Sequence, residues 1–179
     1  HKFHGPKGIG FIYINKAKKI NPLMLGGGQE RNNRGGTENI AGIIAMAKAL
    51  ELALEDQATH AKEILQLKTY LKSQIEKTIP GVTFNGLSGN LDKSLYTVLN
   101  VSFPPSENNQ GMLLFHLDLE GISASGGSAC SSGARLGSHV LNALGAHPSR
   151  ENVRFSLSRF NTRAEIDHVV KILAGLYQA

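Results

Sequence analysis

From Ile40 onward, apolar residues recur three and four positions apart at Ile43, Ile44, Ala47, Leu50 and Leu54, and the spacing resumes at Ile64, Leu67, Leu71 and Ile75. That period lays one apolar stripe along a helix, and Pro80 followed by Gly81 ends it. Thr37 offers a hydroxyl that can cap the first turn. A long helix, or two in line, therefore divides the chain into a short N-terminal piece and a longer C-terminal one.

The two pieces differ in pattern. Before the helix, Gly8 to Ile14 ("GIGFIYI") is a short apolar run of β-branched and aromatic residues bounded by glycines, which predicts a strand. After it, "VTFNG", "TVLNVSF", "GISAS" and "NVRFSLSRF" are β-rich, and "GMLLFHLDLE" and "SHVLNALG" between them have the helical period. The chain closes on "NTRAEIDHVVKILAGLY", where Thr162 and Glu165 form a capping box and Ile166, Val169, Val170, Leu173 and Leu176 make a buried stripe. Strands and helices alternate irregularly, so an α+β layered domain is expected over residues 57–179, preceded by a separate segment over 1–56.

Composition excludes several classes. The 179 residues are 41% hydrophobic, enough for a full core, and the formal net charge of +5 comes from scattered lysines and arginines without a basic run. That disfavours a nucleic-acid platform. No run of about 18 apolar residues marks a membrane span, no signal-peptide pattern opens the chain, and a cytoplasmic setting is expected.

The single cysteine, Cys130, sits in "SASGGSACSSGARLG" among serines, alanines and glycines. A structural cysteine belongs in an apolar run, and a lone one makes neither an internal disulfide nor a zinc site. The thiol is incidental or reactive. A second glycine-rich segment, "GGGQERNNRGGT" from Gly26 to Thr37, joins close backbone approach to two arginines and a threonine near a helix start, a combination suited to an anion such as phosphate. It lacks the lysine and Ser/Thr spacing of a P-loop, and "GPKGIG" does not match the dinucleotide fingerprint.

Taken in order, "HKFHGPKGIGFIYI", "GGGQERNNRGGTENIAGI", "SASGGSACSSG" and "VRFSLSRFNTRAEID" resemble the C-terminal part of the cysteine desulfurases, pyridoxal-phosphate enzymes of the aspartate-aminotransferase type. The resemblance implies that residues 1–56 are the end of the large α/β domain, followed by a long linking helix and the small α+β domain. It implies that Lys2 holds the cofactor aldehyde covalently, that His1 contacts the cofactor, and that Thr37 reaches the phosphate of a neighbouring subunit in a homodimer. Arg154 matches the arginine that grips the substrate carboxylate with its planar two-pronged donor, and Arg159 in the same segment is expected to serve a structural ion pair. Cys130 matches the nucleophile that takes sulfur from L-cysteine as a persulfide, leaving L-alanine. A loop of small residues suits a thiol that must collect sulfur in one place and deliver it in another.

The family's long segment upstream of the lysine, with its ring-stacking residues, is absent from the 179 residues. The implied activity is thus that of a longer enzyme, supplying sulfur to an acceptor or iron–sulfur scaffold protein, with the isolated chain expected to be inactive. Readings kept beside it are a selenocysteine lyase, a non-catalytic acceptor-docking module and a phosphate- or nucleic-acid-binding domain. The joint presence of Lys2, Cys130 and Arg154 argues against a degenerate homologue.

Overall fold

The computed structural model describes residues 1–109, 111–126 and 138–177. It divides into two compact units, His1–Gln57 and Ala58–Ala179.

In the first unit the regular element is helix α1, Ile40–Glu55. Its N-cap is Asn39, whose side-chain oxygen accepts from the Gly42 N–H at 3.0 Å. The cap expected at Thr37 therefore falls two residues later. Arg34 explains the shift: its Nη1 donates to the carbonyls of Gly36 and Thr37 at 2.9 and 3.3 Å, which holds Thr37 in the preceding loop. Gly8 to Ile14 is not a strand. A ladder needs a neighbour to satisfy its N–H and C=O groups, and no described strand pairs with this run. Phe11, Ile12 and Tyr13 are 69, 74 and 83% exposed.

The periodic stretch resolves into two helices. Asp56, at φ −112° and ψ 18°, leaves helical geometry, and α2 follows over Gln57–Thr78. Beyond it lie β1 (Thr83–Phe84), β2 (Val98–Phe103), α3 (Leu113–Leu119), α4 (His139–Ala143), β3 (Glu151–Ser156) and α5 (Arg163–Tyr177). The three strands form an antiparallel sheet in the order β1-β2-β3. "GISAS" contributes one bridge, Ser125 to Arg154, rather than a strand.

Alternation along β2 and β3 sorts the side chains between two faces. Leu99, Val101 and Phe103 of β2 and Val153 and Phe155 of β3 are buried together with Leu71 and Ile75 of α2, Leu113 and Leu117 of α3, and Ile166 and Leu173 of α5. Burying a side chain of this size stabilises by roughly 1.5–3 kcal/mol, so this layer is what orders the sheet. Two polar groups brace it. The amine of Lys68 on α2 is buried and donates to Ser94 Oγ at 2.6 Å and to the Leu95 carbonyl at 3.0 Å, with burial lowering its pKa. From β3, Glu151 Oε1 accepts the Leu113 N–H at 2.9 Å and satisfies the start of α3, whose N-cap Met112 has no polar side chain to do so. Tyr177 stacks on Phe103 with centroids 5.6 Å apart, and burial pushes its hydroxyl pKa upward. Among the described residues no helix is long and apolar enough to cross a membrane.

The capping box predicted for α5 is present: the Thr162 N–H donates to Glu165 Oε2 at 2.6 Å and the Glu165 N–H donates to Thr162 Oγ1 at 3.3 Å. The first of these bonds, to the Thr162 backbone, is the main cause holding the Glu165 carboxyl below the usual carboxylate range. The folded state thus prefers the ionised carboxylate. Its contribution is complete above the unfolded value of about 4.3 and is lost as pH falls through the lower folded value. Glu165→Gln should lower the urea midpoint at pH 7, and the gap from wild type should narrow in titrations run below about pH 4.

Candidate functional site

The face of the sheet opposite the apolar core it shares with α2, α3 and α5 is polar. It carries Asn100 and Ser102 from β2 and Asn152 and Arg154 from β3, all at positions of one parity, with Asn100 opposite Arg154 and Ser102 opposite Asn152. Its two arginines do different work. Arg150, just before β3, is committed to structure: Nε donates to Ser102 Oγ at 3.0 Å, and Nη2 donates to the carbonyls of Gly81 and Ser102 at 2.7 and 2.6 Å. The guanidinium of Arg154 has no hydrogen-bond or ion-pair partner among the described residues, where the ion pairs are Lys48–Glu51 and Lys72–Glu76.

The backbone of Arg154 is held on the side away from β2. Its N–H donates to the Ser125 carbonyl at 2.6 Å, and its carbonyl accepts from the Ser125 N–H at 3.2 Å. This pair of bonds ties the start of the segment containing Cys130 to the strand containing Arg154. Cys130 itself lies outside the described residues. Between Ser125 and that segment stands Gly126, where an added Cβ would come within 2.5 Å of Leu114 Cδ1.

The other predicted residues lie in the first unit. His1 and Lys2 are exposed in a turn closed by the His4 N–H donating to the His1 carbonyl at 3.1 Å. Gly5 lays this turn on α1, since an added Cβ there would sit 3.5 Å from Ala49 Cβ and 3.8 Å from Met46 Cα. Thr37 is exposed at the end of the glycine-rich loop. That loop is drawn together by the Gly35 N–H donating to the Met24 carbonyl at 2.9 Å and the Gly36 N–H donating to Gln29 Oε1 at 3.1 Å. Within it Glu30, Arg31 and Asn32 all have positive φ, at 48, 56 and 66°. A run of such residues is strained by roughly 1–2 kcal/mol each.

An open cleft of about 520 Å³ in this unit is walled by Phe11, Ile12, Arg34, Glu38, Asn39 and Met46 among others. His1, Lys2 and Thr37 are not part of its lining. The structure therefore brings Arg154 and the foot of the Cys130 segment together, whereas Lys2 and Arg154 belong to different units. Arg159 lies beyond the end of β3, exposed, with its guanidinium 4.9 Å from the centroid of the Phe160 ring and in no ion pair among the described residues. Among the described residues no cluster of His, Cys, Asp and Glu is arranged to hold a metal.

Sequence reasoning missed the carboxamides around Arg154. Asn85 Nδ2 donates to Asn100 Oδ1 at 2.8 Å and to Asn152 Oδ1 at 2.7 Å. The signal was available, because asparagine is depleted in strands and each of "VTFNG", "TVLNVSF" and "NVRFSLSRF" contains one.

The loop leading to Thr37 depends on one close approach. A Cβ at Gly35 would meet Gly26 N at 2.7 Å, Gly26 Cα at 2.8 Å and Leu25 C at 2.9 Å, all main-chain atoms that cannot swing aside. Gly35→Ala should open the loop, and limited trypsin digestion should then cut after Arg31 or Arg34 several-fold faster than in the wild type.

The family described as Aminotransferase class-V matches residues 1–169. Cysteine desulfurase IscS of Dictyoglomus turgidum is 43% identical over 183 residues, covering 99% of this chain and 44% of that protein. A solved NifS-like protein is 36% identical with a TM-score of 0.79, covering 98% of this chain and 43% of that one. The NifS-like protein of Rickettsia africae is 27% identical with a TM-score of 0.73, over 91% of this chain and 41% of that one. The chain spans 44% of the length of the Dictyoglomus relative, in line with a resemblance to one part of such enzymes. With nearly its whole length matched, the chain belongs to the class-V aminotransferase family.

Proposed function

We propose that this chain is part of a pyridoxal-phosphate-dependent cysteine desulfurase that converts L-cysteine to L-alanine and leaves the sulfur as a persulfide on Cys130. One observation carries the reading: an arginine on a polar sheet face whose guanidinium has no partner among the described residues, its backbone hydrogen-bonded to the foot of the only cysteine's segment. Relatives named cysteine desulfurase support it.

Arg154 would bind the substrate carboxylate through paired N–H donors, which orients the amino acid. Cys130 must first lose its proton. Its thiolate then forms a bond to the substrate sulfur as the carbon–sulfur bond breaks, and the pair of electrons left on carbon takes up a proton to give alanine. The residues present fit the cofactor in part. Lys2 presents an exposed primary amine on a turn seated on α1, able to hold the cofactor aldehyde, with His1 beside it. Thr37 presents an exposed hydroxyl at the end of a loop whose glycines permit close approach to a phosphate. When bound, pyridoxal phosphate supplies the electron sink that weakens the carbon–sulfur bond.

On this reading residues 1–56 end the large cofactor domain and residues 57–179 form the small domain. The enzyme is a cytoplasmic homodimer in which Thr37 serves the partner's cofactor, and the persulfide passes to a sulfur-acceptor or iron–sulfur scaffold protein. In the holoenzyme Cys130→Ala should abolish persulfide formation while cofactor absorbance persists, because attachment uses Lys2. Sustained alanine and sulfide production by that variant would refute the assignment. Arg154→Lys keeps the charge but loses the two-pronged contact, so KM for L-cysteine should rise about tenfold or more, measured as alanine formed against substrate concentration.

A further inference from the structure

Thr37 stands three residues before α1 begins at Ile40, a place where a threonine ordinarily spends its hydroxyl on the helix. As N-cap it would accept from the N–H of Asn39 or Ile40. It does neither. Asn39 caps α1 by accepting from the Gly42 N–H at 3.0 Å, and the Thr37 hydroxyl is exposed with no hydrogen-bond partner among the described residues.

The main chain at Thr37 is held from outside the helix. One nitrogen of Arg34, Nη1, donates to the Gly36 carbonyl at 2.9 Å and to the Thr37 carbonyl at 3.3 Å. An N-cap carbonyl has to point along the helix axis to accept the first intrahelical bond, whereas that of Thr37 faces Arg34. The first such bond runs instead from the Ile43 N–H to the Asn39 carbonyl at 2.9 Å. Two successive carbonyls meet on one donor because the chain bends at Gly36, whose φ of 96° lies in the left-handed region. The Gly36 N–H is fixed as well, donating to Gln29 Oε1 at 3.1 Å. The Thr37 hydroxyl is thus carried on a backbone held by two side chains of its own loop, Arg34 and Gln29.

We propose that Arg34 is a positioning residue for cofactor binding, holding the Gly36–Thr37 main chain outside α1 so that the Thr37 hydroxyl stays free for the phosphate of pyridoxal phosphate. The inference rests on the reading of Thr37 as a phosphate contact. It adds the residue that keeps this contact available, and it gives the displacement of the cap from Thr37 to Asn39 a purpose.

The test is equilibrium binding to the full-length enzyme stripped of its cofactor, followed by absorbance, in wild type, Arg34→Met, Thr37→Ala and the double variant. Each is titrated with pyridoxal phosphate and, separately, with pyridoxal, which has the aldehyde but no phosphate. Thr37→Ala should weaken pyridoxal phosphate about tenfold, the loss of one hydrogen bond to a charged group, and leave pyridoxal within about twofold of wild type. Arg34→Met should reproduce that pattern, and the double variant should bind no more weakly than the weaker single variant. Wild-type affinity in Arg34→Met, with Thr37→Ala weakened, would overturn the positioning role and leave the phosphate contact standing. No effect of Thr37→Ala would overturn the phosphate reading beneath it. A double variant weakened by the product of the two single effects would mean that Arg34 does not act through Thr37, and would overturn the inference. Equal weakening of pyridoxal and pyridoxal phosphate by Arg34→Met would mark general damage to the unit and count against it too. Should Arg34→Met not fold, Arg34→Lys keeps the charge on a shorter side chain that loses the paired contact to the two carbonyls, and should weaken pyridoxal phosphate several-fold with pyridoxal unchanged; no change would count against the inference.

Discussion

The second unit depends on the antiparallel pairing of β2 with β3. Six matched residue pairs, from Val98 with Ser156 to Phe103 with Glu151, fix which side chains share a face. A slip of β3 by one residue would exchange its faces, burying Arg154 and Asn152 and exposing Val153 and Phe155. The large penalty for burying an unpaired guanidinium, added to the loss of burial of Val153 and Phe155, leaves a single register. Everything the polar face does follows from that choice, including the meeting of Arg154 with Asn100.

How much of this was legible in the sequence varies with how local the signal is. The helical period from Ile64 to Ile75, the stop at Pro80 and Gly81, and the capping box at Thr162 and Glu165 depend on neighbours within a few residues, and each appears where the spacing puts it. The cap of α1 moved from Thr37 to Asn39 because Arg34 holds the Thr37 carbonyl, a competition no propensity reveals. Gly8 to Ile14 has the composition of a strand but no neighbouring strand among the described residues, and composition cannot supply hydrogen-bond partners. The carboxamide network was hidden for a related reason. Asn85, Asn100 and Asn152 are far apart along the chain and meet only through strand pairing.

The two glycine-rich segments use their small residues in different ways. In the first unit Gly35 is needed for its lack of a side chain, because backbone from Leu25 and Gly26 fills the space a Cβ would take. The neighbouring Glu30–Asn32 turn keeps a left-handed conformation that its residue types resist. Local order there is imposed by contacts from outside the turn, notably the bond from the Gly36 N–H to Gln29. In the second unit only the entrance to the Cys130 segment is described, and it is pinned by main-chain bonds that any residue at Ser125 could make.

Those same bonds bear on solubility. A sheet of so few strands has two rims at which a foreign chain could add itself and seed aggregation. One rim is β1, which is only two residues long and offers little backbone to a newcomer. The other is the outer side of β3, where Ser125 already occupies the N–H and C=O of Arg154 midway along the strand. The approach to the Cys130 segment thus doubles as a cap on the sheet, and substitutions that loosen Ser125 or Gly126 would expose an adhesive strand.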